Sequence, residues 1–282
     1  MIAHCRMSTP AHPTKDTMRF PVSTLLAGLL LSACALAQAS DWKDSAAVGK
    51  LFKKAGVSGT FVLHDVEADS YTVYNLARAK TRYAPASTFK LANTLIGLTV
   101  GAVADVDEAL PYGGKPLARK EWEHDMSLRQ AMPVSNLRIY QELARRIGAE
   151  RMRTQLTTLN YGNMQTGKAI DSFWLEGPLQ ISALEQTGFI ERLAQDRLPF
   201  PREAMAQTRD IAELERTPAY TLYGKTGWSS PADGKDLGWW VGWLQKDGRL
   251  YSFALNLDIH RERDAEQRVP LGRASLKALG LL

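Results

Sequence analysis

Cysteine is almost absent from this 282-residue chain, which contains only Cys5 and Cys34. Both precede Ala39, so cleavage after Ala39 would leave a mature protein without cysteine, and no disulfide can be proposed for it. The mature fold then has to be held together by its core alone. A content of 45% hydrophobic and 23% charged residues is typical of a globular protein that can bury such a core.

Sequence patterns that bind metals, nucleotides or nucleic acids are missing as well. The five histidines, at positions 4, 12, 64, 124 and 260, form no His-x-His or His-Glu-x-x-His pattern, which argues against a metal site. The sequence around Gly113 and Gly114 does not match the Gly-x-x-x-x-Gly-Lys pattern of a phosphate-binding loop, so no nucleotide cofactor is expected. Residues 121–125 are predicted to form a hydrated loop. The formal net charge of +5 is too small to indicate nucleic-acid binding.

No apolar run is long enough for a transmembrane span, which needs about 20 residues. The N-terminus has the layout of a secretory signal, with Met18-Arg19 before the apolar residues 25–31 and an Ala-x-Ala site that ends at Ala39. We therefore predict that residues 1–39 are an N-terminal extension and signal peptide, with Met18 as an alternative start of translation. Residues 40–282 are predicted to form a single domain that is exported to the periplasm.

An alternative processing site lies in the same region. Leu31-Ser32-Ala33-Cys34 resembles a lipobox, which would make Cys34 the lipid-anchored N-terminus of an outer-membrane lipoprotein. Both routes lead to the periplasmic side of a bacterial membrane. The sequence leaves the choice between the soluble and the lipidated form open.

Ser87 and Lys90 form a candidate catalytic pair. Residues three apart lie on one face of a helix, and the apolar-rich residues 87–100 are predicted to be helical after an extended stretch that ends at Ala86. A neutral lysine beside a serine can accept the hydroxyl proton and activate the nucleophile. The N–H groups at a helix N-terminus also favour negative charge on the serine oxygen. The alternative is an N-cap serine with a surface lysine on an ordinary helix.

A second motif, Lys225-Thr226-Gly227, follows the strand-like residues 219–223. If this motif lies along a sheet edge, a free backbone N–H there and the N–H of Ser87 would form an oxyanion hole. Lys225 and Thr226 would then bind a carboxylate of the substrate. The tripeptide is equally typical of a plain turn. In the sheet-edge arrangement, the two motifs together indicate a serine acyl-transfer enzyme.

The order of the predicted elements indicates an α+β fold. Strands are predicted near both ends of the chain and helices in the middle, which inserts a helical region between two halves of one sheet. The nearly unbroken apolar residues 239–243 suit a strand in a sheet that is covered on both faces. The predicted strands are 60–66, 70–76, 220–224, 238–244 and 250–259, and the predicted helices are 139–147, 184–193 and 202–215.

Several motifs together resemble the class D, oxacillinase-type, serine β-lactamases, which belong to the penicillin-recognising serine enzymes. The similarity extends from about Asp41 to the C-terminus. It implies a β-lactamase/transpeptidase-like fold, in which helices flank a central antiparallel sheet and a helical region is inserted. The motifs are Ser87-Thr88-Phe89-Lys90, Lys225-Thr226-Gly227, Tyr161-Gly162-Asn163 and Phe173-Trp174-Leu175.

The catalytic chemistry that this resemblance implies depends on a modified lysine. In the family, the amine that matches Lys90 reacts with carbon dioxide to form N6-carboxylysine, which acts as general base in acylation and deacylation. Carbon dioxide or bicarbonate is needed for this reaction, and no other cofactor is implied. The indole of Trp174 would donate a hydrogen bond to the carbamate. Ser135, followed by Leu137 where the family has valine, would pass a proton with Lys225 to the leaving nitrogen.

The resemblance also implies which residues bind substrate. The backbone N–H groups of Ser87 and Trp228 would form the oxyanion hole. Thr226, Gly227 and Trp228 would line the substrate site together with an arginine that binds the substrate carboxylate. Counting back from the C-terminus favours Arg268 for that arginine, with Arg273 as the alternative.

The implied function is hydrolysis of the β-lactam amide bond through a Ser87 acyl-enzyme, which would give resistance to penicillins and oxacillin-like compounds. The implied partner is therefore a small-molecule β-lactam. A penicillin-binding protein or a β-lactam sensor domain, which are acylated without turnover, are the alternatives. A class A enzyme is disfavoured because its Ser-Asp-Asn motif is absent. The oligomeric state and the substrate spectrum, including carbapenems, stay open.

Overall fold

The computed structural model describes residues 41–117, 119–231 and 234–282. The predicted signal peptide, the start at Met18 and the lipobox at Cys34 lie outside the described residues and stay predictions. Ser40–Leu282 forms one compact unit. Within the described residues, no helix is both long and apolar enough to cross a membrane.

Within the described residues, seven of the nine strands form one sheet, in the order β1-β3-β2-β9-β8-β7-β6, and the two short strands β4 and β5 pair with each other in a separate sheet. All neighbouring pairs are antiparallel except β1 and β3, which run parallel at one edge. The predicted antiparallel sheet therefore carries one additional parallel strand that the sequence did not indicate. The strands are β1 Asp41–Asp44, β2 Gly59–Asp65, β3 Ser70–Tyr74, β4 Arg82–Tyr83, β5 Ile181–Ser182, β6 Glu213–Arg216, β7 Tyr220–Ser229, β8 Leu237–Lys246 and β9 Arg249–Asp258.

Helices cover both faces of this sheet, which confirms the α+β prediction. Helices α1 and α10 pack together and against one face, while α7 packs against the other. The region between β3 and β6 is largely helical, as the sequence predicted. The helices are α1 Ala46–Ala55, α2 Leu76–Lys80, α3 Phe89–Thr99, α4 Leu128–Val134, α5 Leu137–Ile147, α6 Ala149–Leu159, α7 Ala183–Ala194, α8 Arg202–Asp210, α9 Glu262–Glu266 and α10 Arg268–Ala278.

Strand β8 shows why two layers of helices are needed. Successive side chains of a strand point to opposite faces, and both sets are apolar here. Trp239 and Trp243 lie in the core beneath the helical region, whereas Trp240 and Leu244 lie in the core beneath α1 and α10. All four side chains are fully buried. The prediction of a sheet covered on both faces is thus confirmed.

One predicted helix is partly wrong. The helix expected over residues 202–215 ends at Asp210, and Glu213–Arg216 forms the edge strand β6. Half-buried and exposed residues alternate along β6, as in a strand. The backbone groups of this segment pair with β7, whereas in a longer helix they would have bonded within the helix. The charged residues of this segment fit an exposed helix and an edge strand equally well, so periodicity alone could not separate the two structures.

Candidate active site

Ser87 lies in a single 3₁₀ turn, Ala86–Thr88, that leads directly into α3. The preceding residue, Ala86, has a φ of +49°, which is unusual for a residue with a Cβ atom. The surroundings hold this conformation, because the Ala86 N–H donates to the Trp174 carbonyl at 2.8 Å and the Trp239 indole donates to the Ala84 carbonyl at 3.0 Å. Two tryptophans thus fix the backbone that presents the serine.

Lys90 reaches Ser87 from the first turn of α3, as the spacing of three residues predicted. Its Nζ donates to Ser87 Oγ at 2.9 Å, and the side chain is almost completely buried. Burial, assisted by the positive charge of Lys225, lowers the pKa of the Lys90 amine well below its usual value. A neutral amine beside a serine hydroxyl can take up its proton, so this pair is suited to nucleophile activation.

Ser135 enters the site from the end of α4. It caps that helix in the left-handed conformation, with a φ of +58°, before Asn136 starts α5. Lys225 Nζ donates to Ser135 Oγ at 3.0 Å and to the Thr226 carbonyl at 3.0 Å. Burial and the positive charge of Arg268 lower the pKa of Lys225 to about 7. This lysine can therefore change its charge near neutral pH.

Lys225, Thr226 and Gly227 lie within β7, so the plain-turn alternative is wrong. The Gly224 N–H donates to the Ala212 carbonyl on the β6 side of β7. In an antiparallel strand every second residue directs its N–H to the same side, so Thr226 and Trp228 also face this edge. Among the described strands, only β6 pairs with this edge of β7. The pairing reaches Tyr223 and does not extend to Thr226 or Trp228. The Trp228 N–H thus lies on the open part of the edge.

Gly227 allows this edge to approach the serine turn. A Cβ atom at Gly227 would lie 3.1 Å from the Pro85 carbonyl oxygen and 3.3 Å from the Thr88 backbone nitrogen. Backbone atoms cannot rotate out of the way as the end of a side chain can. The absence of a side chain at this position therefore sets the separation between β7 and Ser87.

We expect Gly227→Ala to lower kcat/KM for a substrate that acylates Ser87 by roughly 10- to 100-fold, because it would push β7 away from Ser87 by a fraction of an ångström. The measurement is steady-state turnover together with the melting temperature. Gly188→Ala is the matched control, since a Cβ at Gly188 in α7 meets no atom within 4 Å. Equal activity in the two variants would show that the close approach at Gly227 is not needed.

A cleft of about 470 Å³ opens in front of these groups. Arg268 borders it and donates to the Gly227 carbonyl at 2.6 Å, whereas Arg273 lies elsewhere and pairs with Glu215 at 2.7 Å. Arg268, and not Arg273, thus lines the same cleft as Ser87. The lining residues are Ser87, Arg119, Glu121, Trp122, Pro133, Val134, Ser135, Leu137, Leu175, Thr226, Gly227, Trp228 and Arg268.

Trp174 is a buried residue that directly precedes the cleft residue Leu175 in the chain. Its ring is fully buried against Phe89 and Phe173, with centroids 5.4 and 5.0 Å away. Within the described part of the chain, the indole Nε1 has no hydrogen-bond partner. Leaving a buried N–H unpaired costs about 1–3 kcal/mol, so an acceptor beside this nitrogen would be stabilising.

The Tyr161-Gly162-Asn163 motif has a positioning role that the sequence did not reveal. Gly162 has a φ of +55°, and a Cβ there would lie 2.0 Å from the Gln180 carbonyl oxygen. The Asn163 side chain donates to the Pro178 carbonyl at 2.8 Å and accepts from the Gln180 N–H at 3.0 Å. These contacts close the loop that carries Trp174.

Sequence reasoning missed one wall of the cleft. Residues 121–125 were expected to be a hydrated loop, but Glu121 and Trp122 line the cleft beside Arg119. The Trp122 indole donates to the Val134 carbonyl at 3.2 Å and so fastens this segment to α4. No local pattern indicated this contact, because its partner is twelve residues away and is a backbone atom.

No cluster of three or more His, Cys, Asp or Glu residues that could hold a metal ion occurs in the described ranges. The site instead combines two lysines, two serines and an arginine. Its polar chemistry is therefore that of proton transfer and anion binding.

Comparison with known proteins agrees with this chemistry. Residues 51–277 match the penicillin binding protein transpeptidase domain. The chain is 39% identical to β-lactamase OXA-5 of Pseudomonas aeruginosa over 241 residues. The aligned region covers 85% of this chain and 90% of that protein. It is 44% identical over 200 residues to the probable β-lactamase YbxI of Bacillus subtilis, with 71% and 74% covered.

Solved structures show the same likeness. The class D β-lactamase FUS-1 (OXA-85) from Fusobacterium nucleatum subsp. polymorphum superimposes with a TM-score of 0.83 at 42% identity, covering 85% of this chain and 100% of that one. The class D β-lactamase YbXI from Nostoc gives a TM-score of 0.81 at 40% identity, with 83% and 99% covered.

Proposed function

The chain belongs to the class D β-lactamases, and we propose that it hydrolyses the amide bond of penicillins and oxacillin-like β-lactams through an acyl-enzyme on Ser87. Such an activity would confer antibiotic resistance on the cell that exports the protein. The observation that carries the proposal is the buried amine of Lys90, which lies 2.9 Å from Ser87 Oγ and whose pKa is lowered well below its usual value by burial.

Substrate binding begins at the wall formed by β7 and α10. The carboxylate of a penicillin would meet the Arg268 guanidinium and the Thr226 hydroxyl, both of which border the cleft. Trp228 lies under the Arg268 guanidinium, 5.8 Å from its central carbon, and limits how the arginine can move. This arrangement would place the lactam carbonyl beside Ser87.

Acylation then requires deprotonation of Ser87, stabilisation of the oxyanion and protonation of the leaving nitrogen. Ser87 Oγ loses its proton toward Lys90 and attacks the carbonyl carbon. The oxyanion would be held by the N–H groups of Ser87 and Trp228, the latter on the open edge of β7. The proton for the departing nitrogen would come through Ser135 Oγ, which Lys225 contacts at 3.0 Å.

The surroundings of Lys90 fit a carbamate, which would supply a general base close to the Ser87 ester when it is present. Carbamate formation needs a neutral amine, and burial favours that form by lowering the pKa of Lys90. Trp174 Nε1, which has no hydrogen-bond partner among the described residues, is a donor close to this region, because the indole packs against Phe89, the neighbour of Lys90 in the chain. Leu137 and Leu175 border the cleft nearby and would limit the entry of bulk water.

The test is the number of turnovers. The purified protein is mixed with benzylpenicillin and with a chromogenic cephalosporin, and product is counted per molecule of enzyme. We expect many turnovers, and we expect Ser87→Ala to give no product. A single burst that ends in a stable Ser87 adduct would overturn hydrolysis and would instead indicate a penicillin-binding protein or a sensor domain.

A further inference from the structure

The cleft contains a second arginine on a wall that the catalytic steps do not use. Arg119 and Trp122 belong to the segment before α4, whereas Arg268 and Trp228 belong to the wall formed by β7 and α10. Ser87 also borders the cleft. A β-lactam that fills the cleft thus meets a cation at each of two different walls.

Arg119 is held in place by an aromatic side chain. Its guanidinium carbon lies 5.1 Å from the centre of the Trp122 ring, at a distance typical of cation–π contacts. Trp122 is itself fixed by the hydrogen bond from its indole to the Val134 carbonyl, next to Ser135 in the chain. The position of the Arg119 guanidinium is therefore linked, through Trp122, to the end of α4 that carries Ser135.

The charge of Arg119 is only partly balanced. Glu121 lies 3.5 Å from one guanidinium nitrogen, and both side chains are more than half exposed, at 58% and 57%. Ion pairs with this exposure are weak, and a guanidinium has five N–H donors. An incoming carboxylate can therefore bind Arg119 while Glu121 keeps its contact.

The chemistry of a penicillin indicates which of its groups would reach this wall. The ring carboxylate lies on the nitrogen side of the scissile bond, and the acylamino side chain lies on the carbonyl side. When the ring carboxylate binds Arg268, the acyl side chain extends toward the remaining walls. These walls carry Trp122, Leu137 and Leu175, which suit an aromatic group, with Arg119 at their border.

We propose that Arg119 is a specificity-determining residue that selects β-lactams whose acyl side chain carries a carboxylate beside an aromatic ring. This inference rests on the proposed hydrolysis at Ser87 and names a substrate class for that site. α-Carboxybenzylpenicillin is the simplest member of the class, because it differs from benzylpenicillin by a single carboxylate.

The experiment compares the ratio of kcat/KM for α-carboxybenzylpenicillin to kcat/KM for benzylpenicillin in three proteins. These are the wild type, Arg119→Gln and the matched control Lys120→Gln, which removes the neighbouring positive charge from a side chain that is 81% exposed. The ratio cancels any general effect on folding or chemistry. We expect Arg119→Gln to lower it by about fivefold and Lys120→Gln to leave it within about twofold.

Salt gives an independent readout. Raising the ionic strength from about 0.05 to 0.5 M should lower the ratio in the wild type and change it little in Arg119→Gln, because exposed charges are screened. An unchanged ratio in Arg119→Gln, or an equal fall in Lys120→Gln, would overturn the role of Arg119 alone. Failure of the wild type to turn over either penicillin would overturn the proposed hydrolysis and the inference together.

Discussion

Replacement of Lys90 by alanine should reduce β-lactam turnover by about a thousandfold or more, because it removes the proposed acceptor of the Ser87 proton. Lys90 Nζ contacts Ser87 Oγ at 2.9 Å. The measurement is steady-state hydrolysis of benzylpenicillin. Lys80→Ala is the matched control, since Lys80 is an exposed lysine at the end of α2, and its loss should leave the rate unchanged.

Alanine would also leave a cavity at this buried position, so Lys90→Met is the second variant. Methionine keeps an apolar stem of similar length and carries no base. We expect Lys90→Met to melt no lower than the wild type, because a buried amine is replaced by a thioether, and to be as inactive as Lys90→Ala. Substantial turnover by a correctly folded Lys90→Met protein would exclude Lys90 as the proton acceptor.

The dependence of the rate on bicarbonate distinguishes a carbamate on Lys90 from the free amine as the active base. If a carbamate on Lys90 is the active form, the rate of the wild type should fall in degassed buffer and recover when bicarbonate is added. Trp174→Phe should need more bicarbonate for the same recovery, because it removes the buried indole N–H that lacks a partner within the described residues. A rate that is independent of bicarbonate would mean that the free amine is the base.

Lys225 should produce the second largest effect, together with a characteristic pH dependence. Both of its proposed roles, attraction of the substrate carboxylate and proton donation through Ser135, require the ammonium form. The pKa of Lys225 is lowered to about 7 by burial and by the charge of Arg268. Because kcat/KM reports ionisation in the free enzyme, it should fall as pH rises through about 7 and continue to fall by about tenfold per pH unit.

Two variants test this assignment. Lys225→Ala should lower kcat/KM by about 100- to 1,000-fold and remove the fall in kcat/KM near pH 7, since the ammonium group that causes this fall is gone. Lys225→Arg should move this fall in kcat/KM to higher pH, because a guanidinium keeps its proton. Lys277→Ala, at an exposed lysine near the end of α10, should retain the wild-type profile. A wild-type profile that stays flat from pH 6 to 9 would contradict the ammonium requirement.

The sequence was sufficient where the determining contacts are local. Ser87 and Lys90 meet because three residues of helix bring them to one face, and neither side chain needs a distant part of the chain for that. The nearly unbroken apolar sequence of β8 likewise predicted burial on both faces of the sheet. These features follow from periodicities of two and 3.6 residues, which can be read in any short window.

Only the tertiary structure decided the contacts between distant segments. Lys225 reaches Ser135 across ninety residues of chain, and Arg268 reaches the cleft where Arg273 does not. Trp122 enters the cleft wall through a bond to a carbonyl of α4. Such contacts depend on which strand edge is left open and on how helices pack, and neither property is encoded in the spacing of neighbouring residues. The sequence by itself therefore determined the pairing of Ser87 with Lys90, whereas packing determined the contact of Lys225 with Ser135, the position of Arg268 at the cleft and the wall formed by Arg119 and Trp122.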